Sequence, residues 1–274
     1  QTLYVVNEVN KFNNKPEGAI TAFHISNDGN LQNLGTVMSG SQGPCHLVMH
    51  PNGNLLFVSN YGGGSISSLS CNQDGSLKEC QLTIPHRGSS INPLRQEGPH
   101  PHSVNLSHDG KYLYVPDLGI DKIMYYQVVE EKEVLRACGQ VEIAPGAGPR
   151  HFCFHPTGRV AYVINELAST VTAFAFHREN GDLQEMQTVS TLPKDFKGET
   201  STAHIVAHPN GRFLYGSNRG HDSIAVFAVG GDGRIQLIRT EPTLGQTPRN
   251  FTITGDGKFL IVANQDSNSL VSFF

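Results

Sequence analysis

Two sets of positions in this chain carry side chains able to do chemistry. Eight residues ahead of a recurring turn glycine stand Cys45, His102, Arg150, Ala203 and Arg249. One residue past a recurring Asn or Asp stand Glu8, Tyr61, Leu118, Glu166, Arg219 and Gln265. A repeat serving structure alone is expected to keep similar residues at equivalent places, yet these positions vary and are rich in His, Arg and Glu. Imidazole and carboxylate groups exchange protons and guanidinium groups hold anions, so the mixture suits acid-base work beside a bound anion. The blander alternative is a solvated rim laced with salt bridges.

The elements that position these residues are read from the repeat itself. A Gly-Pro or Thr-Pro start, an apolar run, a turn and a second apolar run ending at Asn or Asp recur as GPCHLVMHPNGNLLFVSN, GPHPHSVNLSHDGKYLYVPD, GPRHFCFHPTGRVAYVIN, STAHIVAHPNGRFLYGSN and TPRNFTITGDGKFLIVAN, the fourth beginning at Ser-Thr instead. The turn glycines Gly53, Gly110, Gly158, Gly211 and Gly257 lie 57, 48, 53 and 46 residues apart. Such periods, with a third strand and in most units a fourth, predict an all-β propeller of four-stranded antiparallel blades, A to D. The chain forms one domain over residues 1–274 on this reading. It opens in strand B and stops in strand C of its last unit, so it is expected to hold four complete repeats between two partial ones and to lack about one blade. The absence of Trp argues against a WD40 propeller.

In a propeller, strand A lines the central channel and the end of strand B lies on the same face as the start of A. Both residue sets are therefore expected at one channel mouth. His50, His155 and His208 sit in the HPxG turns and recur with the repeat, as do the strand-end asparagines, so turn roles are expected for both. Asn105 and Asn250 fit the glycosylation pattern but fall within strand A.

Bulk properties narrow the function class. A net charge of -4 and a pI near 6.4 give no basic footprint, so no nucleic-acid partner is expected. No apolar run reaches membrane-span length, so no membrane partner is expected either. Five cysteines with no CxxC pair argue against a disulfide framework or a zinc ribbon and fit a reducing, cytoplasmic compartment.

Two segments break the repeat: IPHRGSSINPLRQEGPHPHSV (Ile84 to Val104), a long insertion, and STAHIVAHPNGRFLYGSNRGHDSIAVF (Ser201 to Phe227). With VPDLG, GPRHFCFHPTGRVAYVINELASTVTAF and TPRNFTITGDGKFLIVANQDSNSLVSF, they closely resemble the lactonase family of seven-bladed propellers over essentially the entire chain. That family takes in propeller-type 6-phosphogluconolactonases and, more distantly, carboxymuconate lactonising enzymes. The resemblance implies His102, Arg150, Glu166 and Arg219 as the catalytic set, all four already present in the sets drawn from spacing. It also implies no metal and no cofactor. One departure is His204, where relatives often carry an acidic residue.

The implied activity is hydrolysis of 6-phosphoglucono-δ-lactone, a pentose-phosphate step, with a phosphorylated sugar lactone as the small-molecule partner. His102 or Glu166 would activate water, while Arg150 and Arg219 would hold the oxyanion and the substrate's phosphate. His86, Arg95, Gln96 and His100 in the insertion, with Arg249, are substrate-binding candidates; the insertion serves either as a lid or as a plug. A zinc site built from His86, Glu97, His100 and His102 matches no recurring spacing. No GxSxG elbow, P-loop or dinucleotide fingerprint occurs. Another lactonase or a muconate-type isomerase, and a non-catalytic binding propeller, stand as alternatives.

Overall fold

The computed structural model describes residues 1–129 and 134–274, and contains strands, turns and loops with no helix among them. Contacts divide the chain into two units, Gln1–Glu142 and Ile143–Phe274, each built of three antiparallel sheets.

In the first unit, β1 (Thr2–Asn7), β2 (Ala19–Ile25) and β3 (Leu31–Met38) form a three-stranded sheet. The second sheet is β4 (Pro44–Met49), β5 (Leu55–Asn60), β6 (Ser65–Ser70) and β7 (Leu82–Pro85), and the third is β8 (Asn105–Leu106), β9 (Tyr112–Asp117), β10 (Lys122–Val129) and β11 (Val134–Glu142). In the second unit the fourth sheet is β12 (Pro149–Phe154), β13 (Val160–Asn165), β14 (Thr170–His177) and β15 (Asp182–Ser190). The fifth is β16 (Ser201–Ala207), β17 (Phe213–Arg219), β18 (Ser223–Val229) and β19 (Ile235–Pro242), and the sixth, three-stranded, is β20 (Pro248–Ile253), β21 (Leu260–Asn264) and β22 (Ser269–Phe273). Four full blades thus lie between two three-stranded ones, as the repeat count predicts.

Burial explains the sequence pattern of each strand. The second strands LLFVSN, YLYVPD and VAYVIN are buried at every position, so they run without in-out alternation up to their polar ends, Ser59-Asn60, Asp117 and Asn165. The outer strand LTIP alternates half-buried and exposed residues, as a strand with one wet face must. Leu55, Phe57, Ile66, Leu113 and Val115 form one core between sheets of the first unit, and Tyr162, Ile164, Leu214 and Phe227 form its counterpart in the second.

The HPxG histidines do more than close their own turns. His50 Nε2 lies 3.1 Å from the carbonyl of Gly110, His155 Nε2 2.8 Å from that of Gly211, and His208 Nε2 3.1 Å from that of Gly257, each time in the following blade of the same unit. Nδ1 of each ring accepts a backbone N–H two residues on, which leaves the proton on Nε2 for the latch. The partner glycines have φ between 69° and 73°, and a Cβ on Gly211 would meet the His155 ring at 2.9 Å.

Of the strand-end asparagines, Asn218 and Asn264 bond connecting backbone as expected, donating to Thr191 O and Thr243 O, whereas three others depart from that role. Asn7 donates to Thr21, Asn60 to Ser67 and Asn165 to Thr172, each a hydroxyl on the neighbouring strand. Thr21, Ser67 and Thr172 then meet Thr36, Thr83 and Thr188 on the strand beyond. The result is a polar ladder across the blade, which satisfies hydroxyls that the packed sheets remove from water.

Candidate functional site

In the second unit, the start of each A strand carries a β-bulge. Pairing of β12 with β13 jumps from Pro149 to His151, and that of β20 with β21 from Pro248 to Asn250, so Arg150 and Arg249 are the extra residues. The pairing of β16 with β17 likewise shifts between Thr202 and Ile205. A bulge frees a side chain from strict in-out alternation and re-aims it, which is why this position of the repeat can vary.

The Arg150 bulge and the ends of β13 and β17 bring three charges together. Arg150 Nε lies 2.7 Å from Glu166 Oε2, and Arg219 Nη2 lies 3.0 Å from the same oxygen. Arg219 Nη2 also donates to Thr202 O at 2.8 Å, and Arg150 Nη1 donates to Ala203 O. The backbone fixes the carboxylate in turn: Glu166 N donates to Gly148 O, and Thr202 N donates to Glu166 O. Arg150 and Glu166 are each 2% exposed, whereas the Arg219 side chain keeps 15% of its surface. Two guanidinium contacts favour the ionised carboxylate, and the cluster carries a formal charge of +1. This suits Glu166 to holding the arginines better than to taking a proton from water.

Arg249 stands half-buried at the matching bulge of the sixth sheet and makes no ion pair among the described residues.

In the first unit, His102 is 7% exposed, and its backbone N–H donates to Pro116 O. Its Nδ1 lies 3.8 Å from Cys45 Sγ, and its ring meets Tyr61 edge-on at 5.2 Å. Tyr61 stacks on His100 at 4.4 Å, and its hydroxyl accepts from Arg95 Nη2 at 3.4 Å. His100 Nδ1 lies 3.0 Å from Tyr61 O and Nε2 3.1 Å from Glu97 Oε1. A hydrogen bond from its own backbone amide, and then that from His100, hold the Glu97 carboxyl below the usual carboxylate range. His102, His100 and Arg95 therefore gather around Tyr61.

His86 and Gln96 have a different part from the substrate contact expected of them. His86 Nδ1 lies 2.6 Å from Asp117 Oδ2 and its Nε2 2.9 Å from the Tyr126 hydroxyl, with all three residues buried. Burial, aided by the Asp117 charge, pushes the Tyr126 hydroxyl up, so it is a donor to His86 at any physiological pH. Gln96, 0% exposed, donates to Leu118 O and accepts from Asn92 N. Both side chains are consumed in fastening the insertion, and Asp117 also accepts from His100 N at 2.7 Å. The sequence signal was the repeat's Asn replaced by Asp at 117, a carboxylate placed where an imidazole must be gripped. No group of three or more His, Cys, Asp or Glu able to hold a metal is found among the described residues.

Antiparallel blades with bulged first strands, here bearing a buried cluster of two arginines and a glutamate, define a β-propeller. The chain belongs to the family described as Lactonase, 7-bladed beta-propeller, whose signature matches residues 1–274, and it is a lactonase-family enzyme. It is 38% identical over 263 residues to the 6-phosphogluconolactonase of Formosa agariphila, covering 93% of this chain and 74% of that protein. It is 35% identical over 259 residues to the 6-phosphogluconolactonase of Bacillus subtilis, covering 94% and 73%. Among solved structures it is similar to the periplasmic gluconolactonase of Pseudomonas aeruginosa, with a TM-score of 0.92 and 36% identity over 99% of this chain and 77% of that one.

Proposed function

We propose that the chain hydrolyses 6-phosphoglucono-δ-lactone to 6-phosphogluconate. The observation that carries this is Glu166 clasped by Arg150 and Arg219, a preorganised positive cluster whose more exposed member, Arg219, is the one open to a substrate anion. His102 takes a proton from water as the water oxygen attacks the lactone carbonyl carbon. Arg219 stabilises the negative charge that builds on the carbonyl oxygen, and Glu166 and Arg150 hold Arg219 in place. The ring C–O bond then breaks, its oxygen receives the proton from the His102 imidazolium, and the new carboxylic acid ionises. Arg249, Arg95 and His100 are binding groups for the phosphate and sugar hydroxyls. This account needs no cofactor, its partner is a small molecule, and five cysteines that form no disulfide with one another support the cytoplasm as its compartment.

Initial rates on phosphorylated gluconolactone, unphosphorylated gluconolactone and muconolactone, each corrected for spontaneous opening, test the proposal. Preference for the first supports it, while preference for the last assigns the same groups to a muconate-type reaction. Rates that rise with pH through about 6 to 7 and lose that step in His102→Ala support the base assignment. Rates at the spontaneous level with all three lactones leave a non-catalytic binding propeller.

A further inference from the structure

Residues 202, 203 and 204 on the β16 bulge each turn toward the charged cluster or its support. Thr202 O takes Arg219, Ala203 O takes Arg150, and the His204 side chain takes His151, the residue next to Arg150. His151 Nδ1 lies 2.7 Å from His204 Nδ1, with the rings edge to face, and His151 Nε2 lies 3.3 Å from Arg150 Nη1. His151 is 6% exposed, and His204 is half-buried against the Phe251 ring.

Proton placement follows from donor and acceptor counts. A guanidinium only donates, so His151 Nε2 is the acceptor of the Arg150 contact and its proton sits on Nδ1. That N–H points at His204 Nδ1, which must then accept, so the His204 proton sits on Nε2. A second proton on either ring would set two N–H groups against each other, or an N–H against the guanidinium.

We propose that His151 and His204 are positioning residues for Arg150. His151 supplies an acceptor that fixes Nη1 while Glu166 holds the guanidinium by its charge, Oε2 lying 2.7 Å from Nε, and His204 keeps His151 in the one tautomer that can accept. Displacing Arg150 displaces Glu166 Oε2, the oxygen it shares with Arg219, so the pair acts on the lactone through Arg150, Glu166 and Arg219 in turn. The catalytic half of this proposal rests on the lactonase function proposed above.

Kinetics of His204→Asp and His204→Leu, with ¹⁵N-imidazole NMR of the intact protein, form the test. Asp keeps an acceptor for His151 Nδ1–H, so its kcat stays within about threefold of wild type; Leu removes the acceptor, and kcat falls about tenfold with KM within about twofold. The wild-type spectrum shows His151 protonated on Nδ1 and bare on Nε2, with its signals assigned by their loss in His151→Gln; His204→Leu spreads the proton over both nitrogens. Wild-type kcat in His204→Leu, or a His151 proton found on Nε2 in the wild type, overturns the proposal. A wild type without lactone turnover removes the catalytic half together with the lactonase function, and the spectrum still decides the proton order. An active wild type silenced by Arg219→Gln but indifferent to His204→Leu refutes the positioning role alone.

Discussion

Glu166→Gln removes the one anion between two guanidinium groups without changing side-chain shape. Arg150 is 2% exposed and the Arg219 side chain 15%, so water can take over little of the lost partnership. Breaking a buried ion pair by removing one partner typically costs about 3–5 kcal/mol, and residual access at Arg219 sets the expectation at about 3–4 kcal/mol. For a chain of this size that corresponds to a fall in Tm of roughly 6–16 °C. Far-UV circular dichroism is the suitable probe, because the chain has no Trp. Phosphate or 6-phosphogluconate should return part of the loss in Glu166→Gln, since an anion bound by the folded state alone raises its stability by mass action. A Glu166→Gln protein melting with the wild type would refute the claim that this carboxylate holds both arginines.

Three other outcomes are expected. His155→Ala loses the latch to Gly211 O and should destabilise by about 0.5–1.5 kcal/mol in a urea titration, with kcat/KM unchanged. Cys138 is exposed, whereas burial pushes the Cys153 thiol up to about 12; iodoacetamide with peptide mapping should find Cys138 modified and Cys153 untouched until the protein unfolds. Hydrogen bonds from Ser26, Ser76 and Thr254, together with backbone N–H groups, hold the Asp28, Asp74 and Asp256 carboxyls below 3.8. Their folded pKa is depressed, so their contribution is present in full above the unfolded value near 3.8 and is lost as pH falls through the lower folded values. Melts between pH 2 and 5 should show that loss, and Asp256→Asn should show less of it.

Much of this architecture was legible because each blade repeats the same physical problem. A strand buried on both faces must be continuously apolar, a tight turn needs a glycine at positive φ, and the recurrence of both at Gly53 to Gly257 marks the blades. The Asp-for-Asn change at 117 was also visible, but its reason was not. Only the folded insertion shows that His86 needs a charged acceptor there. Spacing placed Arg150 and Arg249 at strand starts without revealing that each is a bulge residue, since a bulge is a property of pairing between strands. His151 was hidden for the same reason: periodicity makes it an ordinary strand residue, and its role depends on a ring contributed 53 positions later by His204.

Lactone hydrolysis by wild type and Arg219→Gln, followed at pH 7 with the spontaneous rate subtracted, addresses the charged cluster itself. The account predicts a wild-type rate well above background on 6-phosphoglucono-δ-lactone, and a kcat lower by about 10²–10³ in a variant that melts as a folded protein. An Arg219→Gln enzyme as fast as the wild type would contradict it.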